Sequence, residues 1–415
     1  MNNLINNKFD FFDKIYIFTL FFFANILGSP LLVLPIGGVE PGKLIIFILY
    51  FFLFTLICFK GFADFYIKKY LLYFILLFFL CQIIYGLYWQ SIRATMYYFG
   101  LIYGLILIFF IKDIKSKYLD VFINSSTIFM FILLVGAYIG FIYHLFGGQA
   151  LLHIINPDQR GNGLFLTTFS NAYDTKFIRP GGIYDEPGAF SFFICSISIL
   201  RVLLKKNDKT TFILLFLGLI TFSLTHLIII ICFLLYLVQK YNKNKNFFLV
   251  LLIFIIGILC IYFLFKDAFD IYIFNRINSV DRIINNNRSI QIPRVISILD
   301  IRSFFFGRLA DFNFDLLALT NHTDDISSNP LFPIAMTGII ASLIYYLFLC
   351  IVSFAAIIRK NSFFIYLSII ILFFQRPYIS SKAYCIYFLL FLMISLDHIS
   401  KNSPHFIFKR SSIKK

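Results

Sequence analysis

Eleven apolar runs cross this chain, near 15–36, 44–59, 70–88, 95–111, 121–146, 188–204, 211–238, 247–265, 331–357, 363–375 and 383–397. A membrane-spanning helix needs roughly 20 apolar residues, so runs of this length and number are solvated by lipid. Composition agrees: 60% of the 415 residues are hydrophobic and only 13% are charged. A soluble globule of this size could not cover such a sequence with polar surface. A soluble enzyme, a nucleic-acid-binding protein and a secreted domain are therefore excluded. The seven cysteines (58, 81, 195, 232, 260, 350 and 385) all fall inside apolar runs, so no disulfide framework is expected. No cleavable signal peptide is expected, because the first run follows two Lys and two Asp and lacks a small-residue cleavage site.

The expected fold is an all-α polytopic integral membrane protein, a single transmembrane domain over 1–415 with about 12 helices. Two long polar stretches, 148–187 and 266–330, interrupt it as large external loops. Short basic connectors alternate with the runs, and Lys and Arg are retained on the cytoplasmic side. Placing them there puts 22 of the 36 basic residues inside, with both termini. The two cations then segregate: nineteen of 23 Lys lie inside, whereas ten of 13 Arg lie outside. Orientation needs only positive charge and explains the Lys. External Arg is the residue of bidentate phosphate and carboxylate binding, although solvated loops also carry it.

Residues 211–238, about 42 Å as one helix, are too short for two full crossings, yet Lys-rich connectors flank both ends. The spacing predicts a short helical hairpin turning at TFSLTH (221–226), with Ser223, Thr225 and His226 facing a wet cavity. A single tilted helix is the alternative, and it would invert everything downstream.

The chemistry-bearing residues concentrate in the loops. In RPGGIYDEPGA (179–189), Pro187 suits a first helical turn and the dipole favours Asp185 and Glu186 at a helix N-terminus. That describes a capped helix start. A site is the other reading, because Glu186 is one of only two glutamates and Arg179 stands seven residues before it. SIQIPRVISILDI (289–301) is amphipathic, which suits a helix in the interface plane holding Arg294 at headgroup depth. In NHTDD (321–325), His322 beside Asp324 could form an acid–base pair, and no neighbouring His supports a metal site. Arg376, in a short QRPY turn, is a further candidate.

In this order the motifs resemble the bacterial O-antigen polymerase family and its relatives, the O-antigen ligases. RPGGIYDEPGAFSFF (179–193) looks like the family's Arg…Gly…Glu-Pro element entering a span. TFSLTHLIII (221–230) resembles its Thr-x-Ser turn, and PRVISILDIRSFFFG (293–307) is similar to its loop stretch ending in Phe-Gly. NHTDDISSNPLFPIAMTGIIASLI (321–344) looks like its polar segment feeding a Gly-containing span. The landmarks cover about 175–345, and Arg308 departs from them by following Gly307 where relatives often carry a small residue.

The resemblance implies a GT-C-like membrane glycosyltransferase of the bacterial cytoplasmic (inner) membrane, acting on its periplasmic face without a cofactor or metal. Its partners would be undecaprenyl-pyrophosphate-linked oligosaccharides, membrane lipid and a chain-length-regulating membrane protein, with no nucleic acid. Arg179, Arg288, Arg294 and Arg308 would bind pyrophosphate, with Ser223, Thr225 and His226 as further substrate contacts. Glu186, with Asp185 beside it, would orient or deprotonate the acceptor, and His322 stands second for that role. A ligase that delivers glycan to lipid A–core is the alternative within the class. A lipid-linked oligosaccharide flippase is the alternative outside it, and should show charge within its spans and repeated halves.

Overall fold

The computed structural model describes residues 11–29, 32, 44–49, 51, 69–90, 97–109, 117–155, 161–171, 177–241, 262–263, 266–270, 292–293, 295–296, 299–307 and 329–402. Within the described residues its apolar runs form helices, since a lipid-solvated backbone must satisfy its polar groups within its own segment. In chain order these are α1 (Phe11–Asn25), α2 (Lys69–Trp89), α3 (Phe99–Phe109) and α4 (Lys117–Leu145). After strands β1 (Leu152–Ile155), β2 (Gly161–Phe165) and β3 (Thr168–Ser170) come α5 (Pro187–Leu203), α6 (Asp208–Leu217) and α7 (Leu224–Tyr241). The short α8 (Ile301–Phe306) precedes α9 (Phe332–Ile358), α10 (Phe363–Gln375) and α11 (Lys382–Asn402).

Among the described residues, four helices are long and apolar enough to cross a membrane: α4, α7, α9 and, within α11, Ala383–Lys401. The chain is thus mostly helical with membrane-spanning character. Its outer faces fit lipid better than water. On α4 the exposed side chains Ile128, Ile132, Val135 and Ile139 recur at intervals of four, three and four, a continuous apolar stripe.

α5 is the inner helix. All of its residues except Gly188 are buried, and it packs against α4, α6, α7, α10 and α11. A helix apolar on every side belongs inside a bundle, and FSFFICSISIL has no polar stripe to turn outward. α1 lies against α4 and α11, while α9 bridges α2, α10 and α11.

The mostly helical fold carries one small β element. The first long loop contains a small antiparallel sheet in the order β1-β2-β3, with Leu152 opposite Leu164 and Leu164 opposite Phe169. Its strands are three to five residues long, too short to show a period in the sequence. Gly140 on α4 lets the sheet come close, because a Cβ there would meet Thr168 Cγ2 at 2.4 Å.

Residues 211–238 form the hairpin rather than one tilted helix. α6 continues as a 3-10 turn over Gly218–Thr221, the chain reverses at Phe222 and Ser223, and α7 returns. The open end is tied, since Asp208 at the start of α6 accepts from Lys240 Nζ at 2.5 Å and Tyr241 Oη at 2.8 Å. Further Lys–Asp pairs join neighbouring helix ends: Lys117 with Asp13 at 3.2 Å and Lys206 with Asp120 at 2.7 Å.

Candidate functional site

The segment entering α5 is moulded onto the sheet by backbone hydrogen bonds. Gly181 N–H donates to Phe169 O at 2.7 Å and Phe169 N–H to Gly182 O at 2.8 Å. Gly182 N–H also donates to Thr168 Oγ1 at 2.9 Å. Gly182 has φ +63, a left-handed conformation that favours glycine. A Cβ on Gly181 would lie 2.9 Å from Tyr184 O and 3.2 Å from the Glu186 carbonyl carbon. The two glycines therefore fold Arg179–Glu186 back on itself at the mouth of the helix.

Glu186 occupies the N-cap position with extended backbone, but its side chain makes no capping hydrogen bond. Its carboxylate instead forms an ion pair with Arg376, from the turn between α10 and α11. This separates the two readings of the motif: Pro187 starts the helix, and the rare glutamate is spent on a cation distant in sequence. Asp185 lies within the electrostatic reach of the same guanidinium.

Arg376 is 5% exposed, and its Nη1 donates to Tyr384 Oη at 3.4 Å. The guanidinium carbon lies 5.7 Å from the Tyr378 ring centre. Burial works against its charge, but Glu186 and, to a lesser degree, Tyr384, Tyr378 and Asp185 outweigh burial and hold the guanidinium well above its ordinary range. Gly188 makes the space, because a Cβ there would stand 2.5 Å from Arg376 Nη2. The Tyr378 ring in turn meets Phe332 at the start of α9 edge-on at 6.2 Å, so α9 begins beside the same corner.

Arg179 joins this corner to the hairpin. Its Nη2 donates to Phe222 O at 3.1 Å, at the turn where Phe222 has a left-handed φ of 45°. Its backbone N–H donates to Ser170 Oγ at 3.3 Å. The first two landmarks of the sequence thus meet in space.

The hairpin residues require a correction. His226 is fully buried, and faces α5 and α6 rather than a wet cavity. Its Nε2 lies 2.8 Å from Leu215 O, while Nδ1 lies 3.2 Å from Ser191 Oγ and 3.3 Å from Cys195 Sγ. This network assigns the proton to Nε2, leaving Nδ1 to accept from Ser191 or Cys195. Gly218 gives the ring its berth, since a Cβ there would be 2.4 Å from His226 Cε1. Ser223 and Thr225 are also buried, each 6% exposed.

The third and fourth landmarks meet as well. Asp300 and Ser303 form a capping box at the start of α8, with Ser303 N–H donating to Asp300 Oδ1 at 2.6 Å and Asp300 N–H to Ser303 Oγ at 2.8 Å. α8 ends at Gly307, whose backbone sits directly on the break in α9 at Gly338. Trp89 Nε1 donates to Phe306 O at 2.8 Å, and Arg302 Nε donates to Tyr88 Oη at 2.6 Å. Arg288, Arg294, Arg308 and His322 lie outside the described residues. Among the described residues, no group of three or more His, Cys, Asp or Glu side chains gathers to hold a metal.

The corner therefore offers a carboxylate clamped by a buried cation, a second carboxylate beside it, and a half-buried arginine on the adjoining segment. Such a set can bind an anion, orient a hydroxyl and accept a proton. The sequence placed Arg179, Asp185 and Glu186 together but gave Arg376 no role, because 190 residues separate it from its partner. Gly188 was the available signal, and its meaning depends on knowing what packs against it. The chain matches no protein-family model and no curated protein.

Proposed function

We propose that this chain is an O-antigen polymerase of the bacterial inner membrane, built on about 12 spans with both termini cytoplasmic. It joins undecaprenyl-pyrophosphate-linked oligosaccharide repeat units on the periplasmic face. One observation carries the reading: Arg376 clamps Glu186, with Asp185 beside it, where the first long loop enters the inner helix, and Arg179 lies on that same segment and bonds to the hairpin. A site at the rim of a bundle suits substrates that diffuse in the bilayer and present their sugars to water.

In the transfer, an acceptor sugar hydroxyl forms a bond to the anomeric carbon of the donor. The bond from that carbon to the pyrophosphate oxygen breaks, and the electron pair leaves with the lipid pyrophosphate. The hydroxyl proton passes to a carboxylate or to external water. Arginine stabilises the negative charge that develops on the leaving group, without a metal. Arg179, Arg288 and Arg294 are assigned that task, with Arg308 on the same loop. Glu186 serves the acceptor, and His322 is the second candidate.

The test supplies the purified protein in lipid with lipid-linked repeat units alone. A polymerase elongates them into a ladder, whereas a ligase requires lipid A–core as acceptor and leaves them unchanged. Arg179→Ala should abolish the ladder at normal protein level. A full ladder from that variant would remove Arg179 from the site.

A further inference from the structure

Two roles stand open for Glu186, accepting the acceptor's proton or accepting a hydrogen bond from its hydroxyl, and the geometry around Arg376 separates them. The partners of the ion pair face different surroundings. The Arg376 side chain is 6% exposed, whereas that of Glu186 is 20% exposed. The cation is thus enclosed, while the Glu186 side chain keeps part of its surface exposed. The grip is itself supported: Tyr384 takes Nη1, Tyr378 presents its ring, and the missing side chain of Gly188 admits the guanidinium. Tyr384 sits on the innermost bundle surface, against Phe192 and Phe193 of α5 at 4.5 and 5.3 Å between ring centres. Arg376 is consequently held between the start of α5 and Tyr384 of α11.

A carboxylate paired with a buried arginine is favoured in its ionised form, which makes it a poor proton acceptor and a strong hydrogen-bond acceptor. Resting on the glycosyl-transfer reading, we propose that Arg376 is a positioning residue that locks Glu186 as a fixed, ionised hydrogen-bond acceptor for a hydroxyl of the incoming sugar that neighbours the reacting one. Glu186 then aims the nucleophile, and the proton leaves to another group or to water. The ligand class is a sugar bearing a free hydroxyl next to the position that reacts.

The test uses the full chain in lipid, with lipid-linked repeat units as substrate. Glu186→Gln retains an acceptor oxygen but no basicity. It should lower kcat by no more than about tenfold and raise the acceptor KM, whereas Glu186→Ala should lose about a hundredfold or more in kcat/KM. A Glu186→Gln variant as inactive as Glu186→Ala would make Glu186 the base and overturn the proposal. An active Glu186→Ala variant would overturn it equally. Arg376→Gln should raise the acceptor KM as Glu186→Gln does, with partial rescue by Arg376→Lys, and the double Gln variant should be no worse than Arg376→Gln alone. Unchanged kinetics in Arg376→Gln would refute the positioning role. Thermal midpoints of the wild type, Glu186→Gln, Arg376→Gln and the double Gln variant form a cycle that reads the clamp without any reaction, and additive shifts would deny it. If the wild-type protein elongates nothing, the glycosyl-transfer reading fails and takes the acceptor role with it. The clamp then stands or falls by the thermal cycle.

Discussion

His226 shows how a single residue changes meaning with its surroundings. In the sequence it is a polar residue in a membrane-embedded turn, where a histidine suggests contact with water or substrate. In the fold, both ring nitrogens are engaged, by Leu215 O on one side and by Ser191 and Cys195 on the other. Those partners lie on α6 and α5, so the imidazole stitches the hairpin to the inner helix. Its loss would leave a cavity and strand the Leu215 carbonyl, together costing about 2–4 kcal/mol. His226→Ala should therefore lower the thermal midpoint in detergent, while the protein that remains folded keeps its acceptor KM. An unchanged midpoint with lost activity would return His226 to the substrate. Glu186 makes the opposite journey. Its position before Pro187 looks like a cap, and its side chain caps nothing.

Among the elements, the junction of α8 with α9 is the most dependent on backbone. Gly307 adopts φ 65 and ψ −170, and Gly338 adopts φ 70 and ψ 170, a region essentially restricted to glycine. A Cβ on Gly338 would lie 2.2 Å from Phe305 O, and one on Gly307 would lie 2.4 Å from Gly338 N. Either substitution to Ala meets strain of about 1–3 kcal/mol from the dihedrals alone, with the clash in addition. The chain supplies its own reporter, because its one tryptophan, Trp89, bonds to Phe306 O at the end of α8. Gly307→Ala should shift Trp89 emission and lower the midpoint, and native values for both would show that α8 does not need this approach. The hydrophobic runs announced the described helices, and the length of 211–238 with its flanking lysines announced the hairpin. The sheet was illegible because strands of three to five residues show no period. The pairing of Gly307 with Gly338, and of Glu186 with Arg376, was illegible because each joins segments that only tertiary packing brings together.

For the whole molecule, the two ends of α5 carry different chemistry. At its N-terminus lie Glu186, Arg376 and Arg179, and near its C-terminus Lys206 pairs with Asp120 at the start of α4. The start of α4 in turn reaches α1 through Lys117 and Asp13. Asp208, at the start of α6, meets Lys240 at the end of α7, so the chain leaves and re-enters the hairpin at one level. Among these described pairs the lysines lie at one end, where Arg201 also bonds to Thr211 and Thr127, and the Arg376–Glu186 pair lies at the other. On the proposed reading, retention of positive residues on the cytoplasmic side would put the lysine end in the cytoplasm and the Glu186 corner in the periplasm. That orientation is open to direct measurement. Reporters fused after residue 206 and after residue 245 should both register the cytoplasmic side, and one fused after residue 171 the periplasmic side. Opposite signals from 206 and 245 would contradict the hairpin and invert every later span. A cytoplasmic signal from 171 would be more damaging, because it would place the Arg179–Glu186 corner on the face where positive charge fixes orientation and deprive its arginines of any further explanation.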